Sequence, residues 1–159
     1  MVHYVKGNLL DSDCNYICHQ VNCKGVMRSG IAKQIRERWP EVYTSYFKQY
    51  NDYVVDFMVS TRDLLGTIDI VLVDDETGQS VISMFSQYDY GYDSNRFTSY
   101  DVFAICLEKI RESTTYNDKI GFPKNIGCGL GGGNWKVISA LIEEILGDCR
   151  DVYIYELED

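Results

Sequence analysis

Nowhere in the 159 residues does an apolar run approach the roughly 20 residues that a helix needs to cross a bilayer, so no membrane partner is expected. The opening residues, Met1 to Gly7, lack a basic segment followed by an apolar core, and a cytoplasmic location is the expectation. Proline occurs only twice, and no long polar or low-complexity stretch interrupts the chain. With 45% hydrophobic residues, this predicts one compact domain over residues 1–159 with little disorder. Basic residues are outnumbered, 15 against 24 acidic, and the net charge of −9 argues against binding nucleic acid through a basic surface. No such surface is evident in the sequence. Six cysteines, at positions 14, 18, 23, 106, 128 and 149, include no C-x-x-C pair and read as reduced thiols. Cys14, Cys18, Cys23 and His19 raise zinc, but Cys18 falls in an expected strand and buried small side chains are the better reading; no metal or cofactor is called for.

Glycine, in contrast, is concentrated. Residues 127–133 hold five glycines in seven positions, Gly127-Cys128-Gly129-Leu130-Gly131-Gly132-Gly133, followed by Asn134 and Trp135. Before them stands the apolar Ile120 to Pro123, and after them an amphipathic stretch from Trp135 to Leu146. The order is strand, glycine loop, helix. Backbone N–H groups in such a loop close on an oxyanion without side-chain obstruction, and the helix start adds unpaired N–H groups and a positive dipole end. A phosphate or diphosphate is the expected guest. An acidic chain must hold it with backbone dipoles rather than a lysine cluster.

Val2 to Lys6 and Tyr16 to Asn22 read as strands of one sheet. Ser29 is the expected N-cap of a helix through Arg38, with Ile31, Ala32 and Ile35 on its apolar face. Pro40 opens a second helix to Tyr50, whose Val42, Tyr43, Tyr46, Phe47 and Tyr50 read as core. Ile68–Val73 and Ser80–Phe85 flank a turn and predict a hairpin. A loop over residues 86–97 and a helix over residues 98–112 follow, with Val102, Phe103, Ile105, Cys106 and Ile110 inward. Val152 to Leu157 supplies a last strand. Helices separating most strands imply an α/β fold with a mixed, largely parallel sheet between helices. Ligands of such sheets sit at the carboxyl ends of the strands, where the glycine loop falls.

A second strand–loop–helix runs from His19 through Asn22, Gly25, Ser29 and Gly30 to Ile31 and Ala32. Two loops of this kind at one sheet end can grip the two ends of one extended nucleotide. The segment Val5-Lys6-Gly7-Asn8-Leu9, this loop, and the stretch from Ile126 to Trp135 together resemble the macrodomain family of ADP-ribose-binding modules, over nearly the whole chain. The resemblance is to the compact branch that includes the yeast-type ADP-ribose-1''-phosphate phosphatase and the terminal ADP-ribose glycohydrolases. It implies a three-layer α/β/α macrodomain and a ligand of ADP-ribose or a 1''-substituted ADP-ribose, with ADP-ribosylated macromolecules as further partners.

Carried onto this chain, the resemblance puts Gly7, Asn8 and Leu9 near the adenine. It puts Asn22, Gly25, Ser29, Gly30 and Ile31 around the distal ribose and diphosphate. The loop Gly127, Cys128, Gly129, Leu130, Gly131, Gly132 and Gly133 would cradle the diphosphate, with Asn134 and Trp135 closing its helix end. Asn8 stands where the family usually has aspartate, so it accepts from adenine without charge assistance. Glycohydrolases with a lysine nucleophile carry it roughly where Met84-Phe85-Ser86 stands, and an acid where Gly131 stands; this chain has neither.

His19 matches a histidine of the yeast-type phosphatase, which makes His19 and Asn22 the candidate catalytic pair. The expected reaction is phosphate removal from ADP-ribose-1''-phosphate. The alternatives are a non-catalytic ADP-ribose reader, or a glycohydrolase or deacetylase using a positioned water. His19 shares strand parity with Ile17 and Val21, so a core histidine that orients the Asn22 loop is the competing reading. Lys24 and Arg28 either place positive charge beside the 1'' group or solvate the surface. Cys128 reads as packing, since no base neighbours it in sequence.

Overall fold

The computed structural model describes residues 1–28, 30–56, 61–88, 99–128 and 132–158. Six strands form one sheet: β1 (Val2–Lys6), β2 (Tyr16–Asn22), β3 (Ile68–Leu72), β4 (Ser80–Gln87), β5 (Lys119–Pro123) and β6 (Asp151–Glu156), in the order β1-β6-β5-β2-β4-β3. Every neighbouring pair is parallel except β3 with β4, the expected hairpin. The helices are α1 (Gly30–Arg38), α2 (Pro40–Asn51), α3 (Tyr100–Ser113) and α4 (Trp135–Ile142), the last continued by a wider turn over Glu143–Gly147.

Local chemistry explains the helix starts. Pro40 occupies the first turn of α2, where its missing N–H costs nothing. Ser99 caps α3 by accepting from the Val102 amide, and Asn134 caps α4 by accepting from the Lys136 amide.

The sheet separates two cores. On one face Phe103, Leu107 and Ile110 of α3 and Ile138 and Ile142 of α4 cover Cys18, Ile82, Met84, Ile120 and Phe122. On the other, Ile35 of α1 and Val42 and Tyr46 of α2 cover Ile17, Val21, Val81 and Phe85. β4 is buried at every position, as a strand covered on both faces must be.

Three expectations change. Ile105 is 48% exposed rather than inward, because the buried stripe of α3 runs through Phe103, Cys106, Leu107 and Ile110 at helical spacing. In α2 only Val42 and Tyr46 are fully buried, and Phe47 is exposed. Ser86 belongs to β4 rather than to a loop, buried at a bulge where the register slips between Val21 and Asn22. The capping role expected of Ser29, and residues 89–98 of the expected loop, lie outside the described residues. Among the described residues, no helix is long and apolar enough to cross a membrane.

Candidate functional site

The position of the site follows from the topology. β2 and β5 are neighbours, yet the helix reached from β2, α1, packs on one face of the sheet and the helix reached from β5, α4, on the other. Their pairing covers only Tyr16 with Ile120 and Ile17 with Gly121. In sheets of this kind a ligand crevice lies at such a switch point, beyond the carboxyl ends of the two strands and between loops that leave in opposite directions. The two loops singled out by their glycines are the two that flank it.

The β2 loop is organised by Asn22. Its Oδ1 accepts from the Lys24 amide at 3.0 Å and from the Tyr46 hydroxyl at 2.8 Å, while its Nδ2 donates to the Val26 carbonyl at 3.0 Å. One N–H of that amide has no partner among the described residues. Gly25 lies behind the loop at φ +78°, with the Tyr50 ring 2.8 Å from where a Cβ would stand, and its carbonyl accepts from Tyr43. Gly30, at φ +60°, turns the chain into α1. Ile31 packs on the core beneath α1.

At the mouth of this loop the Cys23 amide donates to the Tyr88 carbonyl at 3.0 Å, tying the ends of β2 and β4 together. The Tyr88 ring carries Lys24 Nζ 4.2 Å and the Arg62 guanidinium 3.7 Å from its centroid, and Lys24 Nζ donates to the Tyr88 hydroxyl at 3.2 Å.

The glycine loop closes on itself at its base. The Gly133 amide donates to the Gly127 carbonyl at 2.8 Å, with Gly127 at φ +75° and Gly132 at φ +72°. Cys128 donates its thiol to the Ile126 carbonyl, and burial pushes that thiol's pKa up, which suits packing rather than a thiolate. The Asn134 amide donates to the Tyr100 hydroxyl, and Trp135 packs on the α3–α4 core. Gly129, Leu130 and Gly131, like Ser29, lie outside the described residues.

After β1, the Gly7 amide donates to the Glu156 carbonyl, and Asn8 caps the short turn Leu9–Asp11 by accepting from the Leu10 amide at 3.0 Å. That bond takes one lone pair of Oδ1 and leaves one for a ligand. The Leu9 side chain is core, 3% exposed, and reaches the sheet at Gly121, where a Cβ would lie 2.5 Å from Leu9 Cδ1.

His19 is not at the mouth of the crevice. It is fully buried in the core beneath α2, its Nε2 2.8 Å from Ser83 Oγ, and burial lowers its pKa to about 3. Nδ1 is buried without a partner among the described residues. An unmet lone pair costs less than an unmet N–H, so the ring is neutral with Nε2–H donating to Ser83. Among the described residues there is no group of three side chains able to hold a metal ion.

Sequence reasoning read Tyr46 and Tyr50 as core but gave neither them nor Tyr100 a role in the loops. Tyr46, Tyr50, Tyr88 and Tyr100 each brace one of the two loops, and helical spacing announced the burial of Tyr46 but not the partner of its hydroxyl.

A mixed sheet in this order, helices on both faces and two glycine-bearing loops at the switch point together make a macrodomain fold. No family model matches the chain. The solved macrodomain of Mycobacterium tuberculosis DarG superposes with a TM-score of 0.75 at 25% identity, over 98% of this chain and 97% of that one. Thermosipho africanus DarTG in complex with ADP-ribose superposes with a TM-score of 0.73 at 19% identity, over 98% of this chain and 41% of that one. Among curated proteins, the DNA ADP-ribosyl glycohydrolase of Mycobacterium tuberculosis is 46% identical over 75 residues, 45% of this chain and 21% of that protein. The protein of the same description from Thermus aquaticus is 38% identical over 48 residues, 30% of this chain and 13% of that protein. The chain thus spans about a fifth or less of the length of the curated relatives it matches.

Proposed function

We propose that this chain acts as a single macrodomain that binds ADP-ribose in the crevice between β2 and β5 and hydrolyses a bond at its C1'' position, as an ADP-ribosyl glycohydrolase. The observation that carries the reading is the switch point: two loops on opposite faces, each with a glycine at positive φ, flank one opening at the ends of adjacent strands. The curated relatives support a DNA-linked substrate, since their names specify DNA ADP-ribosyl groups. The six cysteines are free thiols, which suits a reducing cytoplasm.

In this reading Gly7 and Asn8 meet the adenine, and the loop from Gly127 to Gly133 with the start of α4 holds the diphosphate. Asn22, Gly25, Ser29, Gly30 and Ile31 surround the distal ribose. Water attacks C1'', its oxygen forms the new C–O bond, the bond from C1'' to the attached group breaks, and the leaving atom takes up a proton. Lys24 lends one of its three donors to Tyr88 and places its positive charge at the mouth beside the leaving atom, while the proton that water gives up passes through solvent to that atom. His19 does not touch the ligand; it is a positioning residue that fixes β2 against β4 behind Asn22. Its burial is what favours this reaction over the phosphatase, which needs a base or nucleophile in contact with the terminal phosphate.

A non-catalytic ADP-ribose reader is the second reading. It is favoured by the buried serine at the end of β4, where lysine-dependent glycohydrolases carry their nucleophile. Incubation with ADP-ribose attached to a DNA oligonucleotide, and separately with ADP-ribose-1''-phosphate, distinguishes the three. Release of ADP-ribose from the oligonucleotide, reduced in Lys24→Met with ADP-ribose binding retained, is the expected result. Binding without release means a reader, and release of phosphate alone returns the phosphatase.

A further inference from the structure

A chain of net charge −9 carries its cations unevenly. Residues 24–38 hold five, Lys24, Arg28, Lys33, Arg36 and Arg38, against the single carboxylate of Glu37, a local charge of +4. The fold turns this stretch into one surface. A groove of about 550 Å3 runs from the end of the β2 loop along α1 to the start of α2, lined among others by Met27, Arg28, Lys33, Arg36, Glu37 and Tyr43.

Many surface cations of this chain are neutralised by neighbours. Lys6 and Lys124 pair with Glu156, Lys48 with Asp52, Lys119 with Asp13 and Arg38 with Asp11. Among the described residues no carboxylate pairs with Arg28, Lys33 or Arg36, although Glu37 shares the groove. Arg36 instead lies 3.9 Å over the Tyr43 ring, a contact that keeps its charge in the groove. Tyr43 in turn donates to the Gly25 carbonyl, so the groove wall and the ribose loop are one unit.

This surface continues from the loop assigned to the distal ribose, so whatever is attached at C1'' emerges onto it. We infer that the α1 groove, through Arg28, Lys33 and Arg36, receives the phosphates of the DNA strand to which the ADP-ribose is attached. The inference rests on the ADP-ribose reading of the crevice and adds to it the surface that takes the macromolecule. Charge complementarity selects the occupant: on a molecule of net charge −9, a stretch with a local charge of +4 attracts a polyanion. Affinity for the strand is then electrostatic and indifferent to its sequence.

The test measures binding of free ADP-ribose by calorimetry, and of a bare and an ADP-ribosylated single-stranded oligodeoxynucleotide by fluorescence anisotropy, at several salt concentrations. The proteins are the full chain and Lys33→Gln/Arg36→Gln, both exposed positions outside the ADP-ribose contacts. Wild type is expected to hold the ADP-ribosylated oligonucleotide more tightly than free ADP-ribose, and the variant to lose that gain while binding free ADP-ribose equally. Two phosphate contacts make the salt slope steeper by about 1.4, so a fourfold rise in salt weakens wild type about sevenfold more than the variant. Equal affinity and equal salt slope in the two proteins overturn the inference. So does the same Lys33- and Arg36-dependent gain with an ADP-ribosylated acidic peptide, which assigns the groove to protein substrates. If neither protein binds free ADP-ribose, it is the crevice reading that fails. The bare oligonucleotide then judges the groove alone, with binding lost in the variant supporting it and binding unchanged or absent refuting it.

Discussion

The Tyr46 hydroxyl lies 2.8 Å from both the backbone oxygen and the Oδ1 of Asn22, so a side chain from the middle of α2 fixes the last residue of β2 where the loop to α1 begins. Asn22 then holds Lys24 and Val26 through its own side chain. Tyr46→Phe keeps the ring in the core and removes only the hydroxyl. It is expected to lower stability by about 1 kcal/mol in urea denaturation and to weaken ADP-ribose in calorimetry by more than it weakens the fold. Unchanged ADP-ribose affinity would show that the loop needs no such anchor.

Gly25 sits at φ +78° with the Tyr50 ring 2.8 Å from an added Cβ. Gly25→Ala meets left-handed strain of about 1–2 kcal/mol and pushes on the ring at once, so relaxation moves the loop. ADP-ribose binding should fall sharply in this variant while circular dichroism still shows the fold. Tyr50→Ala in the same background relieves the contact but not the strain, and restores binding only in part.

Gly121→Ala tests a second path into the site. Its Cβ would stand 2.5 Å from Leu9 Cδ1 and 2.9 Å from Cys14 Sγ, in a packed core. Destabilisation of about 1–3 kcal/mol by overpacking is expected. Because Leu9 belongs to the turn that Asn8 caps, affinity for adenine-bearing ligands should drop more than affinity for ribose 5-phosphate. An equal drop for both would place Asn8 away from the base.

Burial holds His19 neutral, its pKa moved from 6.5 down to about 3. Between those values the unfolded chain binds a proton that the native chain refuses. Stability from this group is therefore full above pH 6.5 and declines as pH falls toward 3, by at most about 1.4 kcal/mol per pH unit. His19→Gln is expected to be less stable at pH 7 and to lose that part of the acid slope, read from urea midpoints across the range. If wild type and variant share one slope, the imidazole is not buried neutral.

The fold was legible because the apolar pattern changes period where the elements change: alternation in Val2 to Lys6, a stripe through Ile31 and Ile35, and the paired runs around the turn before Ser80. The two loops were legible because glycine recurs where the backbone turns at positive φ, at Gly25, Gly30, Gly127 and Gly132. The imidazole was not. Its parity with Ile17 and Val21 was visible, but whether a strand position faces a crevice or a helix depends on α2 lying over it, a long-range fact. Tyr46 was read correctly as core, yet its hydroxyl partner belongs to another element. The local charge of residues 24–38 was hidden by an overall charge of opposite sign.

The central claim is that the β2 loop and the glycine loop grip one ADP-ribose between them. Amide nitrogen–proton spectra recorded during titration with ADP-ribose test it most directly. The expected result is that the amides of Gly25, Gly127 and Gly133 shift together along one saturation curve, with Gly7 and Asn8 following it and Lys33 unmoved. Shifts confined to one loop, or none at saturating ligand, would contradict a shared site at the β2–β5 crevice.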